Sequence, residues 1–540
     1  MMQPTAINPH AAARYRRDGH WRRESIGSAF GATCAARRYD IALIDGDRRL
    51  SFAEWERLTE RAALGLLALG VAPGDVVAYQ LPNWWEAAVV FAAAARIGAI
   101  VNPVLPTFRE RELGFILGQS QARILVIPRL FRGCDYAAMV AELRPQLPAL
   151  REVLVARGDA PPPMRALAAF LDTPWERAPQ TADRVVDTVD ADALLMLMYT
   201  SGTTADPKGV LHTHNTLTAE VRSLARMHEL TPRDRTLMPS PLTHISGVIH
   251  AILAPALLGT SAVLMERWEP ATALAMIADE RVSYMVGAPT FLQDLIEHRA
   301  RAPRELGAFR LFSCGGAAVS ADLIRRARAE LGCVAKRVYG STEFPTITTT
   351  DAADAALMGV DTEGRAIEPN ELRVVAPNGT VLGTDAEGEI QARGPECFVG
   401  YVDPGLTADA FTADGWFRTG DLGRVDDHGY LRLTGRVKDI VIRKGEKFSV
   451  RELEELIVAH PAVAEAAVLA LPDARTGERA CAVVVLRPDA ALTLGELADF
   501  LRSRGLATYK LPEQLEIVAD LPRTDSGKIH RAALKQRLRP

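Results

Sequence analysis

The sequence predicts a mixed α/β protein with a large N-terminal domain and a small C-terminal one. A chain of 540 residues is too long for one ordinary core, so at least two domains are expected. Apolar strand-like runs alternate with helical patterns over residues 37–127, which is typical of parallel sheets. Short strands with Gly, Asp and Pro turns follow over 371–425, and an α+β tail begins near Gly435. We therefore expect parallel α/β subdomains plus a small β-rich lobe at 1–435, and an α+β domain at 436–540.

The elements of the first domain follow one another in strand–helix order. A short apolar strand at residues 41–44 precedes Ser51, which forms a capping box with Glu54 and starts a helix. The next elements are a strand at 76–81, a helix at 84–97, a strand at 99–104, a helix at 109–117 and a strand at 122–127. Residues 159–189, rich in Pro, Ala and acidic residues, are expected to connect two halves of the domain.

A similar alternation continues after this connection and again in the tail. The predicted elements of the second half are a strand at 194–198, helices at 216–228, 271–280 and 291–299, and a strand at 261–265. Those of the tail are strands at 440–442, 464–470 and 481–486 and helices at 450–458 and 494–502. A tail of this length is within the usual size of a domain.

The composition argues against several classes of protein. A net charge of −4 and a pI near 6.3 predict no nucleic-acid partner. The polar, Arg-rich first 24 residues lack the apolar segment of a secretory signal. The most apolar long window, residues 247–265, contains His250, Pro255 and Gly259, which predicts buried structure and no membrane span. Six scattered cysteines without CxxC spacing fit a reducing cytoplasm.

Residues 199–210, YTSGTTADPKGV, have the composition of an anion-binding loop. Gly202 and Gly209 let backbone N–H groups approach an anion, and Lys208 adds a mobile positive charge. The chain has only eight lysines among many arginines, so a lysine in this loop is unlike generic surface charge. Because Pro207 precedes the lysine, the stretch is not a Walker A loop. The alternative is a surface loop with a solvated lysine.

This stretch resembles the phosphate-loop signature of the adenylate-forming superfamily, which includes acyl-CoA synthetases, aryl-acid AMP ligases, luciferases and peptide-synthetase adenylation domains. The resemblance extends over nearly the whole chain. It implies that a carboxylic acid reacts with ATP to give acyl-AMP, whose carbonyl the thiol of coenzyme A then attacks. It further implies Mg²⁺ and a mobile C-terminal domain; a homodimer is one candidate for the oligomeric state. The phosphate contacts that it assigns are Thr200, Ser201, Gly202, Thr203, Thr204 and Lys208.

Residues 339–343, YGSTE, match the adenine- and metal-binding segment of that superfamily. An aromatic ring beside Gly340 can stack on a purine, and a carboxylate beside ATP suits a hard, oxygen-seeking ion. By resemblance, Tyr339 flanks adenine, Thr342 touches phosphate and Glu343 holds Mg²⁺. The alternative is a helix N-cap with Glu343 near the helix dipole.

Two stretches near the domain boundary match the ribose and hinge segments. Asp421, in GWFRTGDLG, offers two strong acceptors and by resemblance accepts both ribose hydroxyls. Arg436, in GRVKD, resembles the second ribose contact, and Lys438 lies where the superfamily hinges. Gly445 lies where the superfamily lines its thiol tunnel for coenzyme A.

Three further matches concern catalysis and the acyl pocket. Lys528, in PRTDSGKI, by resemblance neutralises charge at the α-phosphate and the attacking carboxylate; the alternative is a lysine on a tail. Gly315, Gly316 and Ala317 resemble the wall of the adenine and acyl pockets. His244 lies in a segment that resembles the pocket gate, where a lone histidine is otherwise structural.

The acid substrate is predicted from a narrower resemblance. The runs similar to medium-chain fatty-acid and cyclohexanecarboxylate CoA ligases are 81–86, 102–106, 108–113 and 131–136. Aryl-acid AMP ligases resemble residues 14–21 but carry Asn after the gate histidine, where this chain has Ile245. We expect a medium-chain aliphatic or alicyclic acid, with Ile245, Gly247 and Val248 lining an apolar pocket. Two alternatives stay open: an AMP ligase that loads a carrier-protein thiol, and a nucleotide-binding protein without catalysis.

Overall fold

The chain has the predicted mixed α/β architecture, with two mostly parallel sheets, an antiparallel lobe and a separate C-terminal sheet. The structure is a computed structural model that describes residues 8–177, 189–200, 207–351, 354–356, 358–437, 440–443, 446–473, 477–523 and 529–538.

The larger sheet has nine strands, and its central strands all run parallel. Short antiparallel strands flank them at both edges. In spatial order the strands are Arg365–Ala366, Thr348–Thr349, Val334–Tyr339, Leu311–Gly315, Tyr284–Gly287, Arg235–Met238, Ser261–Leu264, Ile41–Asp45 and Arg48–Ser51. The helices between its parallel strands include Pro270–Asp279, Pro289–Arg301 and Ala321–Arg326.

The second sheet has seven strands and carries the predicted anion-binding loop at one edge. In spatial order they are Lys208–Thr213, Leu194–Thr200, Ile100–Pro103, Val76–Tyr79, Ile124–Pro128, Glu152–Ala156 and Arg165–Ala166. The first two form an antiparallel hairpin, whereas the others pair in parallel. Its helices are Phe52–Ala68, Trp85–Arg96, Glu110–Ser120, Tyr136–Leu143, Leu167–Asp172 and His214–Met227.

One part of the stretch predicted as a connection belongs to this sheet. The strand Arg165–Ala166 pairs at its edge, and the helix Leu167–Asp172 follows directly. Phe170 and Leu171 are buried in the core, which explains why this segment is ordered structure. The interpretation of the whole of 159–189 as a connection was therefore wrong for residues 165–172.

The main core lies between the two parallel sheets. Val77 and Tyr79 face this core, whereas Val76 and Ala78 of the same strand face the opposite side of the sheet. The helix Trp85–Arg96 is buried along almost its whole length because it packs between both sheets. Its many alanines allow this close approach, and the arrangement leaves the strand ends to form the functional edge.

The lobe and the C-terminal domain complete the fold. The lobe is an antiparallel sheet of Glu371–Val375, Gly388–Arg393, Phe417–Val425 and Leu431–Arg436. The C-terminal sheet contains Glu446–Ser449, Ile440–Arg443, Gly477–Leu486, Val463–Asp473 and Gln514–Ile517, with the helices Val450–Val458, Leu494–Ser503 and Arg531–Arg537. The division into 1–435 and 436–540 stays a prediction. Other helices include Pro9–Arg17, Ile26–Ala36, Met358–Asp361 and Pro404–Ala410.

The apolar window 247–265 is buried, as predicted. It contains the helical segments Val248–Leu253 and Ala254–Leu258 and the strand Ser261–Leu264. Gly259 ends the helical part with φ 71°, a left-handed conformation that glycine adopts without strain. Among the residues that the structure describes, no helix is both long and apolar enough to cross a membrane.

Candidate active site

Four parallel strands of the nine-stranded sheet end at one edge, and the predicted site segments follow them. These strands end at Met238, Gly287, Gly315 and Tyr339. His244 comes shortly after the strand that ends at Met238. The predicted pocket-wall residues Gly316 and Ala317 follow Gly315, and the predicted adenine- and metal-binding residues 340–343 follow Tyr339. In open α/β sheets, ligands usually bind at the carboxyl ends of the strands.

Asp421 is held by two side chains that the sequence also assigned to the nucleotide. Its Oδ2 accepts a hydrogen bond from the hydroxyl of Tyr339 at 2.8 Å, and its Oδ1 accepts one from Nε of Arg436 at 2.9 Å. Asp421 and Arg436 face each other across the lobe strands Phe417–Val425 and Leu431–Arg436. Three residues from different segments thus meet near the carboxyl ends of the parallel strands.

The Tyr339 hydroxyl has a role that the sequence did not predict. Burial, and then the nearby Asp421 carboxylate, raise the pKa of Tyr339. The hydroxyl therefore stays protonated and orients Asp421, whose side chain is 15% exposed. The Tyr339 ring is only 7% exposed and packs with Phe344 and Ile347, so most of it belongs to the lobe core.

A second constellation joins the predicted phosphate-binding lysine to the predicted metal ligand through a tyrosine. The hydroxyl of Tyr401 donates to Oε1 of Glu343 at 2.7 Å. Nζ of Lys208 lies 5.4 Å from the centroid of the same ring, within cation–π range. Burial, and then the Glu343 carboxylate, raise the pKa of Tyr401, which keeps its hydroxyl a donor. The sequence did not indicate this role of Tyr401, whose only local signal is an aromatic residue after Gly400.

The backbone of residues 398–402 fixes this tyrosine in place. The N–H of Phe398 donates to the carbonyl of Glu343 at 2.7 Å. The N–H groups of Val399 and Val402 donate to the carbonyls of Leu211 and Gly209, both at 2.9 Å. The segment therefore ties the strand that begins at Lys208 to the segment that carries Glu343.

His212 supports the predicted phosphate contact Thr342 from behind. Its Nε2 lies 2.8 Å from the carbonyl oxygen of Thr342, and its Nδ1 lies 3.0 Å from Oγ1 of Thr216. Burial lowers the pKa of His212 to about 4, so the ring is neutral near pH 7. A carbonyl can only accept, so Nε2 carries the ring proton. This histidine was also missed, because nothing in its local sequence distinguishes it from a core residue.

The strands on either side of the predicted phosphate loop pair in an antiparallel manner. Thr200 and Lys208 pair across the strands Leu194–Thr200 and Lys208–Thr213. A Cβ at Gly209 would lie 2.8 Å from Val402 Cγ2, so packing against this side chain favours glycine here. The predicted contacts that lie outside the described residues are Ser201, Gly202, Thr203 and Thr204.

The glycines of the other two segments shape the edge of the sheet. Gly316 (φ 81°) and Ala317 are exposed after the strand that ends at Gly315. A Cβ at Gly340 would lie 2.0 Å from the carbonyl oxygen of Pro345, so only glycine permits the turn there. Residues 340–347 are irregular, and the alternative of a helix N-cap at YGSTE was therefore wrong.

The predicted gate and acyl-pocket residues begin a helical segment on the same edge. Nδ1 of His244 accepts a hydrogen bond from the N–H of Ser246 at 3.3 Å. Ile245 and Val248 belong to the main core. A Cβ at Gly247 would lie 2.1 Å from the carbonyl oxygen of Pro241, so this glycine serves close packing. The other predicted residues, Lys438, Gly445 and Lys528, lie outside the described residues.

The surroundings of Glu343 suit a cation that is shared with a phosphate ligand. Tyr401 donates to Oε1 of Glu343, and the remaining lone pairs of this carboxylate would be available to a cation. The described part of the chain contains no group of three His, Cys, Asp or Glu side chains that could hold a metal ion alone. Mg²⁺ commonly binds one or two carboxylates and completes its shell with phosphate oxygens and water. The donor set therefore fits Mg²⁺ bound together with a nucleotide.

The chain matches known proteins over nearly its whole length. The sequence model described as AMP-binding enzyme matches residues 30–402, and the model of the AMP-binding enzyme C-terminal domain matches residues 452–528. The medium-chain fatty-acid–CoA ligase of Escherichia coli K12 is 36% identical over 533 residues, which cover 98% of this chain and 93% of that protein.

Two further proteins extend the comparison. The 2-hydroxy-7-methoxy-5-methyl-1-naphthoate–CoA ligase of Streptomyces carzinostaticus is 34% identical over 537 residues, covering 97% of this chain and 95% of that protein. The crystal structure of ATP-bound MatB from Rhodopseudomonas palustris superposes with a TM-score of 0.83 at 28% identity, covering 95% of this chain and 98% of that one.

Proposed function

The chain belongs to the AMP-binding enzyme family, and from that premise we propose that it is an ATP-dependent acyl-CoA ligase for a medium-chain aliphatic or alicyclic carboxylic acid. Membership makes it an adenylate-forming enzyme of the acyl- and aryl-CoA ligase kind. The observation that carries the proposal is the pair of constellations at one edge: Asp421 with Tyr339 and Arg436, and Glu343 with Tyr401 and Lys208.

In the proposed first step, the carboxylate of the acid attacks the α-phosphorus of ATP. The bond to pyrophosphate breaks and acyl-AMP forms. Asp421 and Arg436 bind the ribose hydroxyls, Thr342 contacts phosphate, and Lys208 stabilises phosphate charge. Nucleotidyl transfer depends on positioning and charge stabilisation more than on acid–base groups, which matches the charged side chains that line this site.

Glu343 would hold Mg²⁺, which would supply positive charge to neutralise the phosphates. The contribution of this chain is to orient the carboxylate: the Tyr401 hydroxyl fixes Oε1, and the Phe398 N–H fixes the backbone of the same residue. A preorganised carboxylate loses little freedom when the nucleotide arrives.

In the proposed second step, the thiol of coenzyme A attacks the acyl carbonyl and AMP leaves. We assign residues 1–435 to nucleotide and acid binding and 436–540 to a domain that rotates about Lys438 between the steps. Lys528 acts in the first step, and Gly445 lines the approach of the thiol in the second.

The acid is proposed from two observations. The Escherichia coli relative at 36% identity is a medium-chain fatty-acid–CoA ligase. The residues that follow His244 toward the core, Ile245 and Val248, are apolar and buried, which suits an alkyl or cycloalkyl chain.

The proposal is tested by ATP-dependent pyrophosphate release over a panel of acids, with and without coenzyme A. The panel runs from propionate to decanoate and adds cyclohexanecarboxylate, benzoate and dihydroxybenzoate. We expect acyl-CoA formation with a medium-chain or alicyclic acid. Pyrophosphate release without acyl-CoA would instead indicate an enzyme that loads a carrier-protein thiol, and no release with any acid would contradict catalysis.

An aromatic acid is the second candidate, because the Streptomyces relative at 34% identity is a naphthoate–CoA ligase. In the same panel, turnover with benzoate or dihydroxybenzoate that exceeds turnover with octanoate would replace the first candidate by this one.

A further inference from the structure

Two buried glutamates contact each other behind the candidate site. Glu220 lies on the helix His214–Met227, and Glu396 lies just before the segment that carries Tyr401. Both residues have 0% exposure. Their side chains lie within hydrogen-bonding contact of each other. Neither residue has a role in the reaction proposed above.

The hydrogen bonds around the two carboxyls leave one proton to be accounted for. Oε1 of Glu220 accepts from Oγ1 of Thr346 at 2.7 Å, and Oε2 of Glu396 accepts from Nδ2 of Asn370 at 2.7 Å. The other two oxygens are buried and have no donor among the residues that the structure describes. Two ionised carboxylates only accept, so they cannot bond to each other. One proton between them satisfies both oxygens and removes one buried charge.

We propose that Glu220 and Glu396 share one proton and together act as a positioning pair for the adenylation site. The proton resides on Glu220, because Glu396 has more groups that stabilise its anion: the side chains of Ser223 and Asn370 and the charge of Arg226. Burial, followed by the Glu396 charge, raises the pKa of Glu220 well above its usual range.

The pair connects the parts that hold the second constellation of the site. The strand that begins at Lys208 runs directly into the helix of Glu220. Glu396 anchors the start of the segment whose Tyr401 contacts Glu343. Thr346, which donates to Glu220, follows Glu343 in the chain. The acid–carboxylate contact thus joins the helix to the segment before Tyr401, and the Thr346 hydrogen bond adds the Glu343 segment.

The proton makes this contact sensitive to alkaline pH. The groups that face the pair are Thr346, Asn370, Ser223, Arg226 and the Cys397 thiol. Because the folded pKa of Glu220 is raised, its contribution to stability is complete below the unfolded value near 4.5 and is lost as pH rises through the folded value. Loss of the proton leaves two buried carboxylates that repel each other.

The first test needs no substrate and so is independent of the proposed function. Infrared spectra of the whole protein in heavy water above pH 7 are expected to contain the C=O stretch of a protonated carboxyl. Glu220→Gln removes it, because the amide donates to Glu396 without a titrating proton. Glu387→Gln, at an exposed lobe carboxylate 3.4 Å from Arg424, is the matched control and leaves the band unchanged. A wild-type spectrum without this band would overturn the inference.

The second test measures positioning and rests on the proposed adenylation for its readout. Glu220→Gln is expected to keep neutral-pH pyrophosphate release and to extend activity to higher pH than the wild type. Glu220→Ala is expected to lower kcat by about 10²-fold, the scale of a misplaced catalytic group. If the infrared band is present but the pH profiles of wild type and Glu220→Gln superimpose, the two glutamates share a proton that does not position the site. That result would refute the positioning role. Absence of activity in every variant would instead count against the proposed function.

Discussion

Tyr401→Phe removes one hydroxyl from the candidate site and leaves its ring in place. That hydroxyl donates to Oε1 of Glu343 at 2.7 Å, while the ring keeps Lys208 Nζ 5.4 Å from its centroid. Hydrogen bonds to charged groups contribute about 1.5–3 kcal/mol. At about 1.4 kcal/mol per factor of ten, the loss corresponds to a roughly ten- to hundredfold fall in kcat/KM for acyl-AMP formation.

The assay is initial-rate pyrophosphate release at a series of Mg²⁺ concentrations, together with thermal unfolding. If Tyr401 orients the carboxylate for a cation, half-maximal activity of the variant requires more Mg²⁺. Tyr430→Phe is the matched control, because its hydroxyl donates to Oδ2 of Asp354 at 2.6 Å, a bond of the same kind that no proposed site residue shares. We expect this control to keep wild-type kcat/KM.

Two results would refute the reasoning. If Tyr401→Phe retains wild-type kcat/KM at every Mg²⁺ concentration, the hydroxyl does not position Glu343 for the reaction. If Tyr430→Phe loses as much activity as Tyr401→Phe, the effect reflects general destabilisation of the lobe that both tyrosines share.

Three other predictions concern different parts of the chain. Lys528→Ala is expected to abolish acyl-AMP formation and to spare thioester formation from supplied acyl-AMP, measured in separate assays; equal loss of both steps contradicts its role. Burial lowers the pKa of His212 to about 4 and that of His250 to about 3, so the fold favours their neutral forms. The contribution of these two histidines to stability is therefore complete above about pH 6.5 and falls towards pH 4 by up to about 1.4 kcal/mol per unit per histidine, measured by urea unfolding; a flat profile over this range contradicts this. Arg451→Met is expected to speed proteolysis near the predicted domain boundary, because Nη2 of Arg451 lies 3.0 Å from Oε1 of Glu363, a buried residue just before the strand Arg365–Ala366 of the larger sheet.

The controls for the last two predictions are exposed groups of the same kind. Substitution of His428, whose side chain is 73% exposed, is expected to leave the acid sensitivity unchanged. Arg502→Met removes an exposed pair with Asp499 and is expected to leave the proteolysis rate unchanged. An equal acceleration in Arg451→Met and Arg502→Met would mean that the bond to Glu363 does not hold the C-terminal helix.

Much of the fold could be predicted because its elements are encoded by local patterns. The helix Val450–Val458 has the predicted bounds, and Oγ of Ser51 accepts from the N–H of Glu54 at 3.2 Å, as its capping pattern indicates. The segment Leu167–Asp172 was missed because Pro and acidic residues on both sides obscure a short apolar run.

The site was predicted only in part, for a related reason. Asp421 and Glu343 lie in short motifs, so their chemistry could be assigned from the residues around them. Tyr401 and His212 act on partners in other segments, and no pattern around either residue names that partner. Gly209 and Gly247 also meet close packing contacts, with Val402 and Pro241 respectively, which their local motifs do not indicate.

By itself, the sequence determined the family, the order of strands and helices and the motifs that carry the proposed nucleotide chemistry, because each depends on neighbouring residues. Only the tertiary structure decided which groups meet and which of them carry a charge. The contact of Tyr401 with Glu343 exists because residues 398–402 pair with both the Lys208 strand and the Glu343 segment. Whether Glu220 is ionised depends on its burial beside Glu396, and burial is a property of the packed fold that no local stretch of sequence contains.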